Sequence, residues 1–240
     1  MLAAHMNDAA PDKAPAPARR PRKTKTNDTP VALEPGRTND PEATMANILE
    51  VATTEFAEKG LAGARIDEIA ALTRTSKRMI YYYFGSKEGL YIAVLEEAYR
   101  RIRHIETDLH LEDLDPEAAL RKLVAFTCDY QRANPEFIRL VMNENMHRGE
   151  FLAQSKVIQR LNVPAIGSVE TIYARGVKAG LFRTGIDPVD LHMSISALSF
   201  FNVSNHHTFS LIFKRDLESP AAVAARRDSI IEMIVRHVRR

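Results

Sequence analysis

Tryptophan is absent from these 240 residues, and cysteine occurs once. One cysteine, Cys128, excludes an internal disulfide framework and fits a reducing compartment, so a cytoplasmic protein is expected. Cys128 sits in an apolar helical pattern and reads as a buried structural residue, not a nucleophile. No apolar run approaches the roughly 18 residues that a membrane-spanning helix needs, and no signal peptide is visible. The chain has no Gly-rich phosphate loop, no nucleophile elbow and no metal-ligand spacing, which removes the main enzyme signatures. Catalytic residues, a metal and a cofactor are therefore not expected. His206 and His207 are adjacent, and on a helix they would point about 100° apart, a poor arrangement for chelating one ion. Strand-like alternation and internal repeats are lacking too, which leaves an all-α reading.

A dominant charge is also missing. The chain has 33 Lys and Arg against 31 Asp and Glu. Residues 1–40 carry seven of the bases and five of the acids, so the remainder holds 26 of each. Affinity for a polyanion must then come from local clusters and not from bulk charge. Residues 1–38 are rich in Pro, Ala and Thr, with almost nothing large and apolar to bury, and read as a disordered tail. Its cluster Arg19, Arg20, Arg22, Lys23 and Lys25 is either a solubilising segment or a basic arm that follows phosphates. Met6 offers an alternative start.

The most informative stretch is Ser76-Lys-Arg-Met-Ile-Tyr-Tyr-Tyr-Phe-Gly-Ser-Lys-Glu-Gly-Leu90. It puts Lys77 and Arg78 at the start of a short helix capped by Ser76. Ile80 and Phe84, at i and i+4, form a face for burial, so several hydroxyls and charges among Lys77, Arg78, Tyr81, Tyr82 and Tyr83 project outward. Bases at a helix start with hydroxyl donors along its length suit a DNA major groove. Upstream, Asn39 or Asp40 caps a helix over about 41–58, with Pro41 in its first turn and Met45, Ile48, Leu49, Ala52 and Phe56 at helical spacing. Gly60 ends that helix. A shorter helix follows near 66–72, then a turn at Thr73-Arg74-Thr75. Long helix, short helix, turn, short helix is a helix-turn-helix arrangement.

These residues resemble the tetracycline-repressor (TetR) family of one-component regulators. The match rests on Phe56, Gly60, Ile66, Ile69, Ala70, Ser76-Lys77, Ile80 to Phe84, Ser86-Lys87-Glu88, Leu90 and Tyr91. It is close over about 41–100 and holds only in length and helical pattern over 115–240. The family usually has Gly and an aliphatic residue where this chain has Arg74 and Thr75. A left-handed Arg74 would cost roughly 1 kcal/mol. The family also favours Thr or Ser where this chain has Arg65, which replaces a cap with a charge suited to phosphate. The resemblance implies a DNA-binding set of Arg65, Ser76, Lys77, Arg78, Met79, Tyr81, Tyr82, Tyr83 and Lys87. It implies a homodimer on double-stranded, palindromic operator DNA, with a small-molecule effector bound in the body.

The resulting organisation is a tail over 1–38, a helix-turn-helix head over 39–85 and a helical ligand-binding and dimerisation body over 86–240, of which 86–107 is a connector helix. Asp115-Pro116 opens a helix that Asn134-Pro135 breaks, and Pro135 to about His147 forms the next. Further helices are expected near 150–160, 163–179, 188–204 and 220–239, with 205–218 a loop containing a short helical turn. Phe126, Tyr130, Phe137, Met142, Asn143, Met146, Tyr173, Phe200 and Phe201 are the candidate effector-pocket residues; the aromatic and Met residues singly are more often plain core, and Asn143 reads equally as part of an exposed helix end. Tyr130, Pro135, Arg139, Leu140, Gly180 and Asp187-Pro188 weakly resemble the pyrimidine-utilisation regulator branch, which does not fix a ligand. Apolar stripes over 188–204 and 220–239 suit a two-fold four-helix seam or the monomer core. The function expected is a repressor released by a small molecule. An all-α enzyme, or a ligand-free interaction module behind the same head, is the alternative.

Overall fold

The computed structural model describes residues 40–240, and the expected basic tail lies outside them. The described residues form ten α-helices and two 3-10 turns. The only pairing of extended backbone among them is an isolated bridge between Phe182 and Arg239. No described helix is long and apolar enough to cross a membrane.

Helix α1 spans Pro41–Gly63, α2 spans Ile66–Leu72 and α3 spans Lys77–Phe84. Asp40 starts α1 by accepting from the Glu42 and Ala43 amides at 3.0 and 3.1 Å. Gly60 does interrupt this helix, at φ 66°, but one more turn follows it to Gly63. Arg65 caps α2 without a side-chain bond. Its amide instead donates to the buried Glu55 at 3.1 Å, and its own carbonyl takes the Glu68 amide at 3.1 Å. Arg74 stands at φ 53°, the left-handed residue expected in the turn. Thr75 donates back to the Ala70 carbonyl at 3.0 Å, which closes the end of α2.

Helix α4, Lys87–Thr107, starts on Ser86, whose hydroxyl accepts from the Gly89 amide at 3.0 Å. Helices α5 and α6 span Pro116–Ala133 and Pro135–Met146, as the two Asx-Pro signals predict. Helix α7 spans Lys156–Lys178 without a break and so replaces the two helices expected there. Pro164 lies inside it with its ring toward solvent, and the Arg160 carbonyl that loses its donor is also on an exposed residue, where water can serve it. Helices α8, α9 and α10 span Pro188–Ser204, His206–Phe213 and Pro220–Val238. Thus 205–218 is mostly helix. Asn205 ends α8 and the left-handed Lys214 ends α9.

Two apolar cores result. One joins α1 to α4 and also takes in Leu140, Phe151 and Ile158 from the body. Its centre is a chain of edge-to-face rings, Phe56 on Tyr91 at 5.2 Å and Tyr91 on Phe151 at 5.4 Å. The other joins α5, α7, α8 and α10 through Leu120, Val124, Ile172, Leu191, Ile195, Ile234 and Val238. Much of the two stripes expected at a dimer seam is therefore consumed by the monomer. Val189, Met193, Ala197 and Phe201 remain as an exposed i, i+4 row on α8.

Candidate functional site

On α3, Ile80 is fully buried while Lys77, Arg78, Tyr81 and Tyr82 share the open side. Their spacing of i, i+1, i+4 and i+5 puts them within about 140° of the helix surface. Ser76 accepts from the Met79 amide at 3.2 Å, and this cap fixes where the helix begins. Met79 is half-buried at the border of the face. Phe84 is half-buried, not fully so, and Tyr83 also packs on the head core, between Tyr82 and Phe84. The structure therefore turns the Tyr83 ring away from the open side. Lys77 pairs with Asp67 on α2, and both are exposed, so a stronger anion can displace the carboxylate. Lys87 reaches back to the Ala62 carbonyl at 3.4 Å and opens the first turn of α4. The Arg65 side chain is exposed at the start of α2.

Lys59 ties α1 to α2 by pairing with Glu55 at 2.9 Å and with Glu68. The Lys59 hydrogen bond holds the Glu68 carboxyl below its ordinary value, and the Glu68 bond raises Lys59. These contacts orient α2, which in turn carries α3.

The body encloses a cavity of about 420 Å³ bounded by α4, α5, α6, α7 and α8. Of the candidate pocket residues, Phe126, Phe137 and Phe200 line it. The other six are elsewhere. Tyr130 stacks outside, between Phe126 and Phe137. Met142 and Met146 are exposed, on the outer side of α6, whose inner side carries the buried Leu140 and Glu144. Asn143 turns to the head and donates to the Phe56 carbonyl at 3.3 Å. Tyr173 fastens the α7–α8 loop, donating to Arg183 at 2.9 Å and accepting from the Ile186 amide at 3.0 Å. Phe201 is one residue past Phe200 and so faces about 100° away, into a different cavity.

Sequence reasoning missed the polar half of the central cavity. Arg103, Glu106, Gln131 and His192 all line it. Arg103 pairs with Glu106 on the same helix. Burial raises the Glu106 carboxyl, against the opposing pull of Arg103. Burial, with Arg103 adding to it, lowers the His192 imidazole below its ordinary value. Burial also raises the Tyr99 hydroxyl. Arg103 Nε and Gln131 Oε1 are buried with no hydrogen-bond partner. Each of these two atoms, on residues that line the cavity, carries a desolvation cost of about 1–3 kcal/mol. A charged residue inside a helical stripe was the available signal, and Arg103 three residues before Glu106 supplied it.

The exposed trio His110, Glu112 and Asp113 gathers at the start of the first 3-10 turn, at the surface. His206 and His207 sit at the start of α9 with ring centroids 3.7 Å apart, so they stack where divergence was expected.

Residues 48–94 match the family described as "Bacterial regulatory proteins, tetR family", and residues 116–234 match "Tetracyclin repressor-like, C-terminal domain". The chain is 39% identical over 204 residues to the HTH-type transcriptional repressor NicS of Pseudomonas putida, covering 85% of this chain and 96% of the relative. It is 42% identical over 110 residues to the HTH-type transcriptional repressor SCO4008 of Streptomyces coelicolor, covering 46% and 54%. Among solved structures, the putative transcriptional regulator SCO4942 from Streptomyces coelicolor superposes with a TM-score of 0.61 at 26% identity, over 81% of this chain and 98% of that one. With both halves matched and a relative aligned along nearly its whole length, this chain belongs to the tetR family of bacterial regulatory proteins.

Proposed function

We propose that the chain is a homodimeric transcriptional repressor that leaves its operator when a small molecule fills the central cavity. Two relatives named as transcriptional repressors support the sign of regulation. The observation that carries the ligand response is a shared wall. Leu152 and Ile158 line the cavity, and the same two residues pack into the core that holds α1 to α4. A ligand that displaces them displaces the head.

The division of labour is a tail over 1–38, a head over 39–85 and a body over 86–240. Lys77, Arg78 and Tyr81 face base edges in the major groove, with Met79 at the margin. Tyr82, Arg65 and Lys87 hold phosphates, Ser76 fixes the helix start, and Tyr83 buttresses Tyr82 from behind. Two heads enter successive major grooves about 34 Å apart. The dimer forms through residues 188–204 and 220–239, over the exposed Val189, Met193 and Ala197 of α8 together with α10, and the protein works in the cytoplasm. No catalytic step is assigned to either half.

The effector class follows from the cavity. Phe126, Phe137 and Phe200 offer aromatic faces. Arg103 Nε needs an acceptor and Gln131 Oε1 needs a donor. The effector class proposed is a flat molecule with an edge that both donates and accepts, met by the Arg103 and Gln131 side chains as they turn to it. The test is a small-metabolite thermal-shift screen on wild type and on Gln131→Leu. A stabilising ligand that also weakens operator binding, and whose shift falls in Gln131→Leu, supports the reading. A ligand set indifferent to Gln131 and without effect on DNA binding contradicts it.

A further inference from the structure

A second cavity, of about 320 Å³, lies on the far side of α5 and α8 from the central one. On α5, Thr127 and Gln131 face the central cavity while Cys128 and Arg132 face the second. On α8, Ser196 and Phe200 face the central cavity while Ser199 and Asn202 face the second. The two helices are thus a common partition, tied by Cys128 Sγ and Ser199 Oγ at 3.3 Å. Helices α9 and α10 close the other side with Phe209, Val223 and Ile230.

The charge in this second cavity is unbalanced. Arg132, Arg226 and Arg227 line it against one acid, Asp129. Arg227 is neutralised, because it donates twice to Asp129, at 2.8 and 2.9 Å. Arg226 has only a neutral acceptor, Asn202 Oδ1 at 3.0 Å. Arg132 likewise has only the Glu218 carbonyl, at 3.3 Å. The Glu218 carboxylate turns instead to His206, at 3.4 Å. Two guanidinium groups without a carboxylate, beside Phe201, Phe209 and Val223, call for an anion with an apolar body.

We propose that this cavity is a second small-molecule site, which takes a monocarboxylate with a short apolar tail. The carboxylate meets Arg226 and Arg132, and the tail lies on Phe201, Phe209 and Val223. Because the partition is shared, a carboxylate bound here changes the affinity of the central site, and the effect is reciprocal. The geometry of this cavity alone defines the site, whatever the identity of the central ligand.

The chain's only cysteine lies in the wall of this site and supplies the reporter. The full-length protein is alkylated with a fluorescent maleimide across a titration of octanoate, with octan-1-ol as the uncharged control. Octanoate is expected to protect Cys128 with a saturable Kd, octan-1-ol to protect far less, and Cys128→Ser to show no labelling. Arg226→Gln, with its circular dichroism unchanged, is expected to raise the octanoate Kd about tenfold, the scale of one charge-assisted hydrogen bond. Arg132→Gln is expected to act in the same direction. Phe200→Ala, which alters only the central cavity wall, should leave protection in place. Equal protection by octan-1-ol, or an unchanged Kd in both arginine variants, would overturn the proposal. So would protection lost in Phe200→Ala alone, which would put octanoate in the central cavity. Protection that follows protein concentration and ignores octanoate would make the cavity a contact between copies, and would overturn it as well.

Discussion

Tyr82 leaves 76% of its surface open, against 44% for Tyr81, and its hydroxyl has no hydrogen-bond partner among the described residues. Tyr82→Phe is therefore expected to keep the melting temperature and lose operator affinity, by about the 0.5–1.5 kcal/mol of one hydrogen bond. A gel shift at fixed salt measures it, and unchanged affinity would remove Tyr82 from the interface. Ile80 behaves oppositely. It is wholly buried in the head core, so Ile80→Ala should cost roughly 2–5 kcal/mol of stability, read by denaturant unfolding. Lys87→Ala should weaken binding to all DNA sequences alike and reduce the salt slope by about one contact; a changed sequence preference with an intact slope would contradict the phosphate role. These residues were legible because a cap, two bases and an apolar i, i+4 pair fix the facing of a short helix. The pocket residues were less legible. Phe200 and Phe201 are equally apolar, and only the phase of α8 sends one to each cavity. Asn143 is polar at the end of an apolar helix, and nothing local to it announces that its partner is the Phe56 carbonyl 87 positions earlier.

At the scale of elements, helix starts were readable and helix joins were not. Asp40, Asp115, Ser76, Ser86 and Asp187 all cap as their residue types dictate. The break expected between the 150–160 and 163–179 helices is absent, since solvent on the Pro164 side of α7 lets the helix continue. Helix α6 carries both Val141, in the cavity wall, and Asn143, against α1, and so touches cavity and head alike. Asn143→Ala should thus leave effector affinity for the DNA-free protein unchanged while reducing the effect of the effector on DNA binding. A loss of effector affinity instead would return Asn143 to the pocket. The C-terminal end of α10 is fastened by Arg239 to Glu117, which also pairs with Arg121. The Arg239 bond, with Arg121 adding to it, lowers the Glu117 carboxyl from 4.5. A lowered carboxyl contributes stability above 4.5 that is lost as pH falls through the folded value. Glu117→Gln should accordingly lower the melting temperature near neutrality and shrink its fall below that pH, while an unaltered acid profile would show that the pair is worth nothing.

For the whole molecule, residues 41–240 are formally neutral, so a DNA complex depends on the small cationic face of α3 and its neighbours, presented twice. Doubling that face requires a dimer of fixed spacing, and a ligand needs only to change the spacing to release it. Leu152 and Ile158 belong to both the cavity wall and the head core, and the proposed mechanism treats head and cavity as one two-state device. Such a device obeys linkage: an effector that weakens DNA binding must itself bind more weakly to the DNA complex, by the same factor. The most direct measurement is operator titration with and without effector, paired with effector titration with and without operator, on wild type and on Phe200→Ala. The account predicts equal coupling in both directions, worth about 1–3 kcal/mol, with Phe200→Ala changing the effector response and sparing ligand-free DNA affinity. An effector that binds the cavity equally well with and without operator would contradict it.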